Sequence, residues 1–595
     1  MKLLRLKITD PTGFRSLAAG FEVHFLREWD RADADKLNPY ILAGPNGSGK
    51  SNLLEALAAI FYHLECQHLE YRPESFEYDE DSNPQGFQAE KATPDGFEIE
   101  YLIPCPVELN PNNHQALAHI LIQKQPQALP QAIWISRADF DPDANPELSG
   151  QELKQCLPEF VLGYSSGENE ILSLPFFKMR FLHYDEYWEH LIGEKHYGYT
   201  PEGRLIYLDK DFSQAILLSL FLAHDSETDP ESFLLKPFQE EVGLTDIKRF
   251  RLVVRKAVPL TLQQVGKVPK YLFLTLDKEQ DDFEAKWGQS NFWIDLTQKL
   301  QSHSHEDVFL APLSKLKKCS TCFFEDEQFY YFDYWVNEAT KQAFRLHFGS
   351  PLRLFQTFQI LLTLNLFTVS NLQKKELYQS QDLYVNENIP ALPSHEKILR
   401  FEDVMIQKTG ITQPVPLKAL SDGEHQFLHA LGLCVLFKDT NSLFLLDEPE
   451  THFNPDWRAN FISRLRDCFQ TNRNEIAQAE PTETRREILI TTHSPFLISD
   501  SLPEYVLVFD KGESLEVSRP DYQTLGASIS QITFKTFGKR ETIGGYAEQI
   551  LNAFVDRFTK GEDPKKIMDE TYEALGDSIE KTLFVQQLLN ALRQE

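Results

Sequence analysis

The sequence predicts an α/β nucleotide-binding fold in two halves, split by a long mixed α/β insertion and followed by a helical C-terminal tail. Three observations predict it. An apolar run at 40–43 enters the glycine-rich loop Gly44-Pro45-Asn46-Gly47-Ser48-Gly49-Lys50-Ser51, which leads into a helical pattern from Asn52 to Leu57. A second apolar run at 442–446 ends in Asp447-Glu448, and a third at 488–492 ends on His493. Strand, glycine loop and helix form the context that a phosphate-binding loop (P-loop) requires. The two later strands are where a metal-binding carboxylate and a phosphate sensor would stand.

The composition is that of a packed chain. Its 595 residues correspond to roughly three or four domains. Hydrophobic residues make up 42% and Phe alone numbers 44, enough for several cores and far from a disordered composition. A formal net charge of −30 argues against a surface coated in nucleic acid. A local basic groove stays open, because only contacted phosphates need neutralising. Its candidates are Lys248, Arg249, Arg251, Arg255 and Lys256, with Lys315, Lys317 and Lys318; the plainer reading of each is a solvated strand or helix face. Met1 to Asp10 alternates Leu and Ile with Lys, Arg and Thr, unlike a secretory leader. The longest apolar run, 360–367, is interrupted by Thr363 and Asn365 and falls short of the ~20 residues of a membrane span. The seven cysteines are scattered, so the protein is expected to be cytoplasmic, with reduced thiols and no membrane partner.

The elements follow in order. Residues 2–8 alternate apolar and polar as a half-buried strand does, Phe14-Arg15-Ser16-Leu17 makes a turn, and 21–25 reads as a second strand. In the glycine loop, Gly47 and Gly49 let backbone N–H groups wrap phosphates with no Cβ in the way. The helix starting there adds the positive end of its dipole. Lys50 is expected to reach the β- and γ-phosphates of ATP and the Ser51 hydroxyl to coordinate Mg²⁺, while Gly44, Pro45, Asn46, Ser48 and Asn52 complete the cradle.

Leu420-Ser421-Asp422-Gly423-Glu424 opens an apolar helical stretch at 427–437, and Ser421 with Glu424 has capping-box spacing. Alone it is a helix start. Standing 26 residues before Asp447, it has the position of a signature segment that offers a hydroxyl and N–H groups to a phosphate. Asp447 is expected to hold the Mg²⁺ shell, Glu448 to polarise the attacking water and His493 to sense the γ-phosphate. Residues 505–509 read as a further strand.

These motifs resemble the RecF, SMC and OLD-like branch of the ATP-binding cassette (ABC) ATPases, over about 1–65 and 415–515. The resemblance implies a two-lobed ABC-type head that binds ATP between two copies. Ser421 and Gly423 of one copy would face the P-loop of the other, in a homodimer or higher homo-oligomer. Phe14-Arg15 matches the family's Phe-Arg-Ser turn, which places Arg15 near the nucleotide. Residues 450–455 stand in the place of the D-loop, with Asn454 where related sequences often carry a second His. The Q-loop glutamine stays open among Gln85, Gln88 and Gln123. Within this branch, the restriction-associated and antiphage AAA-family ATPases share the short first strand, the insertion, the segment Thr491-Thr492-His493-Ser494-Pro495 and a helical tail.

No sustained heptads appear between the halves, and Pro104, Pro106, Pro111, Pro126 and Pro130 interrupt the chain, so a compact insertion replaces long coiled-coil arms. Residues 80–150 read as acidic and loop-rich, and 200–300 as short strands and helices. Cys319 and Cys322 supply only half of a tetrahedral metal site and read as structural thiols. Tyr164-Ser165-Ser166-Gly167-Glu168 looks like a second signature, with a weak echo of an acidic-ended strand at 180–186. A capping box from Ser165 to Glu168 that opens a helix is the simpler reading, and a contact near a partner chain's nucleotide the alternative. The tail carries helical stripes of Ile550, Leu551, Phe554 and Phe558, and of Phe584, Leu588 and Leu592.

Neither Phe509 to Glu513 nor Glu284-Ala285-Lys286 with Asp277 upstream makes a convincing nuclease site, so ATP hydrolysis is the expected chemistry. The expected organisation is an N-terminal half at 1–180, an insertion at 181–400, a C-terminal half at 401–525 and a tail at 526–595. The expected function is that of a Mg²⁺-ATP-dependent dimerising ATPase, the sensor or motor of a bacterial antiphage system that gates a separately encoded nuclease or toxin. A DNA-repair or end-binding ATPase, which would add DNA as a partner, and a slow-turnover ATP-bound scaffold are the alternatives.

Overall fold

Strands that are apolar on both faces need cover on both sides, and three of them sit side by side at the centre of the molecule. The computed structural model describes residues 1–26, 37–106, 108–109, 117–139, 144–166, 172–192, 203–224, 232–259, 293–295, 311–381, 392–469, 486–511, 515–538 and 543–594. Tyr40–Ala43, Leu443–Asp447 and Glu487–Thr492 are buried at every position. They belong to a seven-stranded sheet of order 515–518, 506–511, 40–43, 487–492, 443–447, 161–165, 205–207. All neighbours run parallel except the edge strand Leu515–Ser518.

Alternation along these strands feeds two cores. Leu42, Leu443, Leu445 and Leu489 face the P-loop helix Lys50–Gln67 and the N-terminal sheet. Ile41, Phe444, Leu446, Ile488 and Ile490 face the core shared with the helices Lys210–Ala223, Pro351–Thr363 and Asp422–Leu436. The N-terminal sheet is antiparallel, of order 22–24, 2–8, 97–104, 117–124, 131–134. It is tied to the central sheet by Glu487, which accepts the Leu3 N–H at 2.8 Å and pairs with Lys2 at 3.6 Å in a buried site.

The expectation of a loop-rich segment at 80–150 is corrected here, because three strands of this sheet come from it. Their inward positions, Phe97, Ile99 and Tyr101, then Ala118, Ile120 and Ile122, keep period two. The prolines that obscured the pattern stand at or beyond strand ends, and Pro104 is the last residue of its strand. The acidic-ended strand echoed at 180–186 is a helix, Leu174–Ile192, which crosses the expected boundary at 180. The central sheet continues to Leu205–Tyr207, and the strand Leu399–Lys408 spans position 401 while pairing with Leu244–Arg255 of the insertion.

The insertion folds on a second antiparallel sheet, of order 322–325, 329–335, 244–255, 399–408, 415–416. Its basic residues are largely neutralised locally: Lys248 pairs with Asp246, Arg251 with Asp333 and Lys256 with Glu325. Cys319 is buried and its thiol is pushed up to about 12 by burial, while Cys322 is exposed on the edge strand. Asp277, Glu284 and Lys286 lie outside the described residues. Helix Ile529–Phe537 packs on the head, and Gly545–Thr559, Pro564–Ala574 and Ile579–Gln594 enclose their own small core of Leu551, Phe554, Ile567, Phe584 and Leu588. Among the described residues no single helix is long and apolar enough to cross a membrane; the one pair that passes by composition is bent by 109°.

Candidate nucleotide site

The parallel sheet brings the ends of four strands to one edge, and the P-loop begins there. Gly44 has φ of 147°, and a Cβ on it would stand 2.3 Å from the Phe509 carbonyl oxygen. Gly49 has φ of 87°, and its Cβ would meet Ser16 Oγ at 2.7 Å. Both positions therefore require glycine, for conformation and for space. Asn52 joins the same turn by accepting a hydrogen bond from Ser16 Oγ at 2.7 Å.

Lys50 is buried and donates to the carbonyls of Gly44 (3.0 Å) and Pro45 (3.1 Å), with His493 Nε2 at 3.2 Å. Burial lowers its pKa, and the charges of Glu448 and Asp447 oppose that shift. Ser51 Oγ donates to Asp447 Oδ1 at 2.7 Å, and Thr491 Oγ1 donates to the same oxygen at 2.6 Å. Burial raises the pKa of the Asp447 carboxyl, and these hydroxyls oppose the shift. Glu448 stands at φ of 47°, held by its N–H donating to Thr491 Oγ1 at 3.0 Å. Its carboxylate lies 3.2 Å from His493 Nε2, a contact that holds it below the usual carboxylate range. Lys50, Ser51, Asp447, Glu448 and His493 thus form one connected cluster.

Two residues of the second signature-like segment join it. The strand Val161–Ser165 pairs in parallel with Leu443–Asp447 and sets Ser165 opposite Asp447. Ser165 Oγ lies 3.4 Å from Asp447 Oδ2, and the Ser166 N–H donates to the Asp447 carbonyl at 3.0 Å. Ser166 Oγ also donates to the Glu448 carbonyl and lies 2.8 Å from Thr451 Oγ1. The capping-box reading of Ser165 is therefore corrected: Ser165 closes a strand, and the next helix among the described residues starts at Leu174. The only signal available was a buried-strand pattern at 161–165 ending on paired serines. Gln85 and Gln88 line a separate cavity and Gln123 lies within the N-terminal sheet, so none of the three joins the Asp447 cluster.

The signature segment stands apart. Ser421 caps helix Asp422–Leu436 in a full capping box, in which the Glu424 N–H donates to Ser421 Oγ and the Ser421 N–H to Glu424 Oε2. Lys408 pairs with Glu424. A Cβ on Gly423 would stand 2.7 Å from the His452 carbonyl oxygen, so the helix start lies close against the segment that follows Glu448. The His452 N–H donates to Gln426 Oε1 at 2.9 Å. Asn454 is the N-cap of Pro455–Asp467, accepting from the Trp457 N–H at 2.8 Å, which accounts for its residue type. Ser421 is exposed and has no contact with the P-loop of its own chain among the described residues. Arg15, at φ of 55°, turns to Glu55 (2.9 Å) and to the Gln381 carbonyl (2.8 Å).

The donor set fits a nucleoside triphosphate with a divalent cation. Ser48 Oγ is buried in the loop without a partner, the Lys50 ammonium is spent on loop carbonyls, and a hydroxyl and a carboxylate converge at Ser51 and Asp447. Fold and site define a nucleotide-binding protein of the P-loop type. Residues 333–499 match the protein family described as "AAA domain, putative AbiEii toxin, Type IV TA system". The chain is also similar to protein ea59 of Escherichia phage lambda, with 29% identity over 142 residues, 24% of this chain and 24% of that protein. The chain thus matches about a quarter of the length of that curated relative. Among solved structures it is similar to an SMC head bound to the C-terminal winged-helix domain of ScpA, at TM-score 0.31 and 10% identity over 87% of this chain and 98% of that one. At that score the fold rests on the chain's own sheets and loop.

Proposed function

We propose that this chain is a Mg²⁺-dependent ATPase that dimerises around ATP and acts as the sensor or motor of a bacterial antiphage defence system, gating a separately encoded nuclease or toxin. One observation carries the dimer: Lys50, Ser51, Asp447, Glu448 and His493 converge in one chain, whereas Ser421 is exposed at a helix start and bonded only within its own cap. A second copy would bring Ser421 and Gly423 over the P-loop. The defence role is supported by the matched family's description, which names a toxin of a toxin–antitoxin system.

Each side chain has a role that follows from its place. Lys50 would release the Gly44 and Pro45 carbonyls and turn to the β- and γ-phosphates of the substrate. Ser51 and Asp447 would hold Mg²⁺, with Ser165 beside them. Bound there, the ion supplies charge neutralisation across the β- and γ-phosphate oxygens. Glu448, ionised and aimed by its left-handed backbone, would polarise the attacking water, and His493 sits between it and Lys50 to report the γ-phosphate. The Ser421 hydroxyl and the Gly423 N–H of the other copy would close the site.

Native mass of wild type and Glu448→Gln, with and without Mg²⁺-ATP, tests the reading. The expected result is an ATP-dependent dimer, more abundant in Glu448→Gln and missing in Lys50→Ala. A mass that ATP leaves unchanged in all three would refute the closing clamp.

A further inference from the structure

A cavity of about 500 Å³ flanks the P-loop helix, on the face that carries Glu55, Ala59, Tyr62 and His63. Its size is that of a small-molecule site. The Phe14-Arg15 turn, the 84–95 loop, the start of helix Leu174–Ile192 and the end of helix Asn371–Gln379 supply the other walls.

The charges lining it do not balance. Glu55 is matched by Arg15 at 2.9 Å, and Asp95 by Lys124 at 2.6 Å. Two further lining ammonium groups, Lys178 and Lys91, make no hydrogen bond or ion pair among the described residues. Lys178 is half-buried, and burial brings its pKa down to about 8, which leaves it protonated at neutral pH. Its one acidic neighbour, Glu55, is already bonded to Arg15; a partly desolvated ammonium whose counter-charge is shared in this way is costly, and a further anion would relieve it. In a chain of net charge −30, a concave site lined by Arg15, Lys91 and Lys178 against only Glu55 and Asp95 needs an explanation.

The remaining walls suit a flat ring. Phe76 and Phe87 stack at 4.9 Å and 14°, and Phe14 lies 5.7 Å beneath the Arg15 guanidinium. Gln85 and Gln88 bring amide groups able to read the polar edge of a heterocycle. The wall is also joined to the P-loop, since Ser16, next to Arg15, bonds Asn52 and stands under Gly49.

We propose that this cavity is a second ligand site, taking a small ring-bearing anion of the nucleoside monophosphate class, with Lys178 and Lys91 holding the phosphate. Its occupancy reaches the P-loop through the Arg15-Ser16 turn. The inference is independent of the defence reading.

Isothermal titration of the full chain with AMP tests it, with inorganic phosphate as the ringless probe. Wild type and Lys50→Ala should both bind AMP, although Lys50→Ala loses Mg²⁺-ATP. Lys178→Met should weaken AMP by roughly tenfold or more, the loss expected for one charge-assisted contact, while leaving Mg²⁺-ATP affinity in place. Lys178→Arg should restore AMP; if Lys178→Met does not fold, Lys91→Met should show the same selective loss. The proposal fails if AMP does not bind at millimolar concentration, if phosphate binds as well as AMP, or if Lys178→Met weakens AMP and ATP alike. That last outcome would make the cavity one end of the ATP site.

Discussion

The P-loop cluster and the signature segment differ in how their hydrogen-bonding capacity is used. In the cluster, partners lie hundreds of positions apart, Ser51 with Asp447 and Lys50 with His493, and the side chains are buried or half-buried. In the signature segment the bonds are local, closing a cap between Ser421 and Glu424 at an exposed helix start. The cluster is assembled by folding, whereas the cap is closed between residues three positions apart and leaves Ser421 exposed.

The largest expected effect breaks the cluster. Glu448→Gln should lower turnover by about 10²–10⁴-fold, the usual contribution of a general base, while keeping ATP affinity. Turnover near the wild-type rate would remove Glu448 from the chemistry. Next comes the signature. Ser421→Asp keeps a good N-cap residue but places a carboxylate where a phosphate should arrive. Unfolding midpoints close to wild type together with lost ATP-dependent dimerisation are expected; dimers as abundant as in wild type would sink the role in trans.

A third variant probes the segment that joins the two regions. Burial raises the Glu450 carboxyl from 4.5 to about 7; Thr492, which donates to it, and Arg458 oppose that shift, and the Glu448 charge adds to it. A carboxyl with a raised folded pKa contributes stability fully present below its unfolded value and lost as pH rises through the folded one. Wild type should therefore lose on the order of 3 kcal/mol of stability relative to Glu450→Gln between about pH 4.5 and 7. Urea melts across that range would show it, and parallel pH profiles of the two proteins would contradict it. The smallest effect is Ser166→Ala, which removes the bond to the Glu448 carbonyl and should cost about 1 kcal/mol in the same melts. A loss confined to turnover, with no change in stability, would mean that Ser166 acts on substrate instead.

Legibility in the sequence followed locality. The P-loop, the capping box at Ser421 and the strand ends at Asp447 and His493 were readable because each depends on neighbours within a few residues. Ser165 was misread as a helix cap because the Ser-x-x-Glu spacing satisfies that pattern, while its actual neighbour is 282 positions away. The strands within 80–150 were missed because prolines at their ends dominated the local signal.

The sequence alone determined that a glycine loop joins a buried strand to a helix, which buried strand ends in Asp447, and that the fold is mixed α/β. Glycine conformations, apolar strand runs and caps are short-range energetics, and they survive in any surrounding. Only the tertiary structure decided that Val161–Ser165 lies beside Leu443–Asp447, that Arg15 turns to Glu55, and that Lys178 lines a cavity where it shares Glu55 with Arg15. Strand order and side-chain direction arise from parallel pairing and packing between distant segments, and no local pattern of residues encodes those choices.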